Sequence, residues 1–318
     1  MKKITLGALT LLLITTACRD DSYTLSTEST SNLVTPALHT RVSDSQSPLT
    51  GIVEAYPCLQ GSSIYFGNYV NNTLSVFYGF YNVQDGNIVG DNNREVSLPV
   101  GKYNIVYWGT PKYEEPIHTT PAIDEPGLSI GSDLSKLYFG LRQYNKDTTY
   151  IPVYDLVHTN REVNIGQEDL EANMERVVAG LKVIVKTKNN AVINSNITDM
   201  QVLISGIAEK INLYTAEPEN KTKTVKFDLV RSVDNTEMSN AMVMVFPSAP
   251  NPLLTLLITL KDGSVHTLSK NLESTLVANT RLTVNIVIGD IFAGGSSGNF
   301  TIDNWNESSE TIEFPVVD

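Results

Sequence analysis

Arg94–Pro111 reads REVSLPVGKYNIVYWGTP, and the fold turns on where its side chains point. Pro99 and Gly101 bend the chain, after which Tyr103, Ile105 and Tyr107 alternate with Asn104, Val106 and Trp108. Successive side chains of a strand face opposite sides of its sheet, so a strand with one wet face shows polar residues at every second position. Here both faces carry large side chains. Such a strand belongs in the middle of a sandwich, covered on both sides.

The same rhythm runs outward in both directions. Upstream, NTLSVFYGFYNV is β-branched and aromatic, and NIVG follows the turn residues Gln84-Asp85-Gly86, which predicts a hairpin. Downstream, YIPVYDLV and REVNIG read as strands, and GLKVIVKT sets Leu181, Val183 and Val185 on one face against Lys182 and Lys186. EDLEANMERVVAG is the one stretch that reads as a short helix, with acids in its first turn and Gly180 near its end. The remainder gives DMQVLISGI, KINLYT, TVKFDLV, AMVMVFP, LLTLLITL, SVHTLS, TRLTVNIVI, NFTIDNW and ETIEFPVVD, with a second hairpin predicted at LLTLLITL-KDG-SVHTLS. Short strands at regular spacing indicate an all-β architecture of sandwiches rather than α/β units.

The 318 residues are 41% hydrophobic, ample for a packed core. Their formal net charge of −12 disfavours nucleic acid and anionic headgroups as partners. The N-terminus, MKKITLGALTLLLITTACRDD, has the form of a secretion signal: Lys2 and Lys3, then an apolar run too short to span a bilayer, then small residues before Cys18. From Arg19 to about Thr50 the chain is rich in Ser, Thr and Asp, as in a tether, although NLVTPAL and GIVEAY offer an alternative N-terminal strand. The expected organisation is a signal peptide over 1–17, a tether or strand region over 18–50, and two β-sandwich domains over 51–167 and 168–318. Apart from Cys18 only Cys58 remains, so no internal disulfide is expected, and Cys58 in IVEAYPCLQ reads as a small buried hydrophobe.

Few residues suggest chemistry. His39, His118, His158 and His266 are scattered, outside any metal-binding spacing, and His266 reads as a solvent-facing residue in mid-strand. No nucleophile elbow or phosphate-cradling loop occurs, and the glycine-rich IFAGGSSGNF reads as a connector. Glu114, Glu115 and Asp124 are the acids that a glycosidase would need, but they fall in a Pro-rich loop with nothing to fix their separation. That loop, with Trp108 and Tyr113, also offers a carbohydrate-contacting surface, though Trp108 and Trp305 read first as core residues. Asp147-Thr148-Thr149 resembles a short O-glycosylation triplet of exported bacterial proteins. The expectation is a non-enzymatic protein without cofactor or metal.

LLLITTACRDD resembles a bacterial lipobox, with Thr15 where leucine is usual. The resemblance implies that the Cys18 thiol is diacylated and that Cys18 becomes the mature N-terminus. Asp20 and Asp21 resemble a surface-export tag. The lipobox, the polar leader, the β-rich halves and the late TRLTVNIVI and NFTIDNW together resemble the fimbrillin superfamily of type V pilus lipoproteins. EVSLPVGKYNIVYWG and MERVVAGLKVIV bring the chain nearest to FimB-like anchor and accessory subunits. The resemblance implies two tandem transthyretin-like β-sandwiches and assembly by β-strand donation with other fimbrial subunits. It further implies attachment to the cell outer membrane and a role in adhesion to host or bacterial surface ligands. In polymerising members a protease cuts after an arginine, and Arg41 lies where such a cut would fall; the alternative is an exposed arginine in a tether. ETIEFPVVD offers Ile312, Phe314 and Val316 either as a donor strand or as the closing strand of its own sheet. The rival reading is a carbohydrate-binding surface lipoprotein of a glycan-uptake system.

Overall fold

The computed structural model describes residues 32–42, 48–111, 122–143, 148–187 and 190–288. All of them lie in one unit that begins at Asn32. Cys18, Ile312, Phe314 and Val316 lie outside the described residues, as do Glu114, Glu115, Tyr113, His118, Asp147 and Trp305.

The described chain is nearly all β. Its first strands are β1 Leu33–Val34, β2 Leu38–Val42, β3 Gly51–Leu59, β4 Asn68–Val70, β5 Thr73–Ser75, β6 Gly79–Gln84, β7 Asn87–Ile88, β8 Leu98–Pro99 and β9 Gly101–Pro111. A 3-10 turn at Leu134–Lys136 then leads to β10 Tyr138–Gly140, β11 Val157–Ile165 and β12 Leu170–Arg176. The later strands are β13 Ala179–Thr187, β14 Ile197–Asn212, β15 Pro218–Arg231, β16 Glu237–Ser239, β17 Val243–Val245, β18 Leu253–Leu260, β19 Val265–Asn271 and β20 Arg281–Ile288.

Seven strands form the first large sheet, in the order β2-β12-β11-β9-β3-β6-β7. β9 sits near its middle, as its two apolar faces require. Tyr103, Ile105 and Tyr107 enter one buried cluster with Val53, Ala55, Tyr81 and Met174. Val106 and Trp108 enter the other, with Tyr56, Cys58 and Phe139. The sheet coils until its edges approach: a Cβ on Gly86, beyond β6, would lie 3.7 Å from the Thr40 carbonyl of β2. The β6–β7 hairpin turns through Asp85 and Gly86, both with positive φ (50° and 77°), the geometry that Asp-Gly favours.

The second large sheet runs β17-β13-β16-β15-β14-β18-β19, with β10 added on β14 and β20 parallel to β13. Alternation along its strands buries one face: Leu181, Val183 and Val185 on β13, Leu254, Leu256 and Ile258 on β18, and Leu282, Val284 and Ile286 on β20 are all within the core. Lys182 and Lys186 sit on the other face, less buried. The predicted β18–β19 hairpin is present, with Gly263 at φ 84° in its turn. Its outer strand is exposed, and His266 is a surface residue.

Two expectations are corrected. The stretch predicted as a helix is strand β12: Leu170, Ala172, Met174 and Arg176 are buried while Glu171, Asn173 and Glu175 are exposed, a period of two. Leu170 and Met174 also stand four apart, which satisfies a helical stripe as well. Pairing decides between the two, because β12 joins β11 on one side and β2, in parallel, on the other. Likewise, of YIPVYDLV only Val157 belongs to regular strand. Tyr150 makes isolated bridges to Gln143 and Val225, and Val153 makes one to Met244.

Candidate functional site

The N-terminal edge of the first sheet positions Arg41. It lies within β2, opposite Asn173 of β12. Its Nε donates to the Asn173 side-chain oxygen, and its backbone bridges Pro48. β2 alternates as an edge strand should: Leu38 and Val42 are buried at 5% and 4% exposure, while His39 and Arg41 face outward. His39 lies 3.7 Å from the Asp169 carboxylate. Arg161 pairs with Glu171 beside them, which holds that carboxyl below its usual range. A protease cutting after Arg41 would first need β2 to leave the sheet, because proteases take extended, unpaired chain.

The two sheets meet around Trp108. Its Nε1 donates to the Leu213 carbonyl at 2.8 Å, across the turn that joins β14 to β15. Asn212 builds that turn: its Oδ1 accepts from Tyr214 and Thr215, both at 3.0 Å, and its Nδ2 donates to the Ser135 carbonyl at 2.7 Å. His158, opposite Trp108 on β11, packs its ring 4.7 Å from the indole and hydrogen-bonds the Tyr214 backbone. Burial lowers its pKa to about 4, and its Nε2 is buried with no partner. Trp108 is therefore a core residue at a joint rather than a sugar platform.

The remaining candidates for chemistry are absorbed by structure. Cys58 is fully buried, and desolvation pushes its thiol up to about 12, which makes it unreactive. Asp124 beside Gly140 has a raised pKa, chiefly from desolvation. Glu209, the nearby carboxylate that contributes to this, is held low by Lys223 at 2.9 Å. A pair pushed apart in this way can serve acid–base catalysis. Here the second member is tied to a cation and Asn220 instead of facing a cleft. Thr148 is exposed and Thr149 is buried. Among the described residues no cluster of His, Cys, Asp or Glu is arranged to hold a metal.

The sequence gives little hint of a cleft of about 300 Å³ where the second sheet splits. Below β16 the strands β15 and β17 diverge, and residues 150–153 wedge between them: Tyr150 bonds Thr224 and Lys226, and the Val153 N–H donates to the Met244 carbonyl. Ile151, Val153, Leu156, Met242, Met244 and Phe246 give the cleft an apolar lining. Asp155 in its wall is locked to Arg176 by two bonds of 2.7 and 2.9 Å, with both side chains buried. Arg142 also lines it, with its guanidinium 5.4 Å from the Tyr154 ring. The only signal in the sequence was Pro152, which interrupts an otherwise strand-like run.

Among the described residues, aromatic side chains do not gather on a solvent-facing surface of the kind that the carbohydrate-binding reading calls for. Tyr56, Tyr65, Tyr81, Tyr107 and Trp108 are buried, and among the described residues Phe77, at 55% exposure, is the one aromatic in the exposed class.

Residues 17–311 match the family model for the fimbrillin-A associated anchor proteins Mfa1 and Mfa2. No curated protein sequence matches the chain. Solved structures share the fold at low identity. A candidate adhesin from Bacteroides ovatus is 10% identical with a TM-score of 0.54, covering 85% of this chain and 93% of that one. A candidate polysaccharide-binding protein from Bacteroides thetaiotaomicron is 13% identical with a TM-score of 0.53, covering 86% and 96%. The fimbrial anchor protein Mfa2 from Porphyromonas gingivalis is 12% identical with a TM-score of 0.46, covering 79% and 88%.

Proposed function

We infer that this chain, which belongs to the family of fimbrillin-A associated anchor proteins Mfa1 and Mfa2, is the surface subunit that fastens a fimbria to the bacterial outer membrane. The observation that carries this reading is the extent of the match, from residue 17 to residue 311, which takes in Cys18 and the whole β-rich body. In this reading the Cys18 thiol is acylated after removal of residues 1–17. Several chains on one residue anchor firmly, since each buried methylene contributes about 0.8 kcal/mol, whereas one chain alone binds reversibly. The segment between Cys18 and Asn32 then carries the β body off the membrane.

The setting of β2 favours an anchor over a shaft subunit. A shaft precursor must release its first strand, yet β2 buries Leu38 and Val42 and pairs along its length with β12. Retained, it keeps the folded body connected to Cys18, and Arg41 stays uncut. The anchor therefore meets the first shaft subunit by strand pairing at another edge. An added strand satisfies main-chain groups that an open edge leaves to water.

Replacing the lipidated residue tests the reading. Cys18→Ala should move the protein from the outer-membrane fraction to the soluble fraction, or stall it as the unprocessed precursor. A variant that still sediments with outer membranes after a high-salt wash would rule out lipid anchoring through Cys18.

A further inference from the structure

We propose that the cleft lined by residues 151–156 and β17 is the docking site of the chain's own C-terminal segment, residues 310–318, held in cis. The cleft is apolar and of side-chain size, and its one cation without a carboxylate partner among the described residues is Arg142. The other charge in its wall, Asp155, is paired with Arg176. A fitting occupant therefore brings apolar side chains and an acid. ETIEFPVVD does so: Ile312, Phe314 and Val316 fall on one face of an extended chain, and Glu310, Glu313 and Asp318 supply carboxylates.

Reach agrees with this. β20 starts with Arg281 opposite Gly180 and ends with Ile288 opposite Thr187. The cleft lies at the level of Gly180, where Met244 of β17 pairs with it. Returning from Ile288 to that level spans about 25 Å at about 3.3 Å per residue. Residues 289–309 number 21, and at about 3.3 Å per residue they can cover that distance more than twice over. The segment thus arrives at the cleft at high effective concentration, ahead of a second copy in dilute solution. The inference concerns where this chain's own C-terminal segment rests and is independent of the anchoring role.

Thiol alkylation tests it on the full chain. Val243→Cys puts a reporter in the cleft wall, and buried Cys58 reports global folding in the same molecule. Deleting residues 310–318 should speed alkylation at position 243 by about tenfold or more while Cys58 stays unreactive. Adding the peptide ETIEFPVVD should restore the slow rate. If Cys58 also reacts, the deletion has unfolded the protein, and Phe314→Ser in the full chain must then give the selective exposure. Equal rates at position 243 in the full and altered chains would overturn the proposal. Protection in the full chain that fades on dilution would overturn it too, by assigning the cleft to the tail of a second copy.

Discussion

Protonating His158 would place a charge against Trp108 in the joint between the sheets, with Nε2 lacking any acceptor. Its folded pKa of about 4 lies below the ordinary 6.5, so the unfolded chain binds the proton more readily. Stability is therefore full above about pH 6.5, falls as pH drops toward 4, and levels off below that. The loss between pH 7 and pH 5 comes to about 2 kcal/mol. His158→Phe should flatten that part of the curve, which chemical denaturation at the two pH values can read; an undiminished slope would assign it to other groups. On β13, Val183→Asp would bury an unpaired carboxylate in a fully enclosed position, costing several kcal/mol and leaving no cooperative melt. Lys182→Asp, on the other face, should melt near the parent temperature. At this scale the sequence was highly legible. Alternation assigned Val183, Val185, Tyr107 and Trp108 to the interior, and the setting of Cys58 in IVEAYPCLQ marked it as a buried hydrophobe. His158 was not singled out, because its role depends on a turn some fifty residues away.

Among the elements, those defined by neighbours in the chain were the readable ones. Asp85-Gly86 closes β6–β7 because both residues adopt positive φ, and a side chain at Gly86 would also meet the Pro48 ring at 3.0 Å. Gly86→Val should therefore cost about 1–3 kcal/mol and lower the melting temperature. Gly90→Ala, in open space at similar φ, should cost less. The helix expected at 168–180 failed for a physical reason. Leu170, Met174 and Val178 satisfy a four-residue spacing, but Ala172 and Arg176 are equally buried, and Arg176 is there to meet Asp155. A buried arginine looks like a surface residue until its partner is known. The wedge at 150–153 escaped notice for a related reason. It owes its place to a split between strands lying seventy and more residues downstream, and single bridges leave no periodic signature.

For the molecule as a whole, the leader and the strand pattern suffice to place the chain in a class, and the family match agrees with that placement. The coiling of the first sheet and the cleft in the second are long-range outcomes of pairing order, which no local pattern encodes. In the proposed role Cys18 would hold the membrane, and retained β2 would connect that hold to the β body. The most direct measurement is where the fimbriae go. In a strain lacking this protein, fimbriae should appear in the culture medium instead of on the cells. The wild-type gene should return them to the cell surface, and the Cys18→Ala gene should not. Fimbriae that remain on cells carrying only the Cys18→Ala protein would contradict the anchoring role.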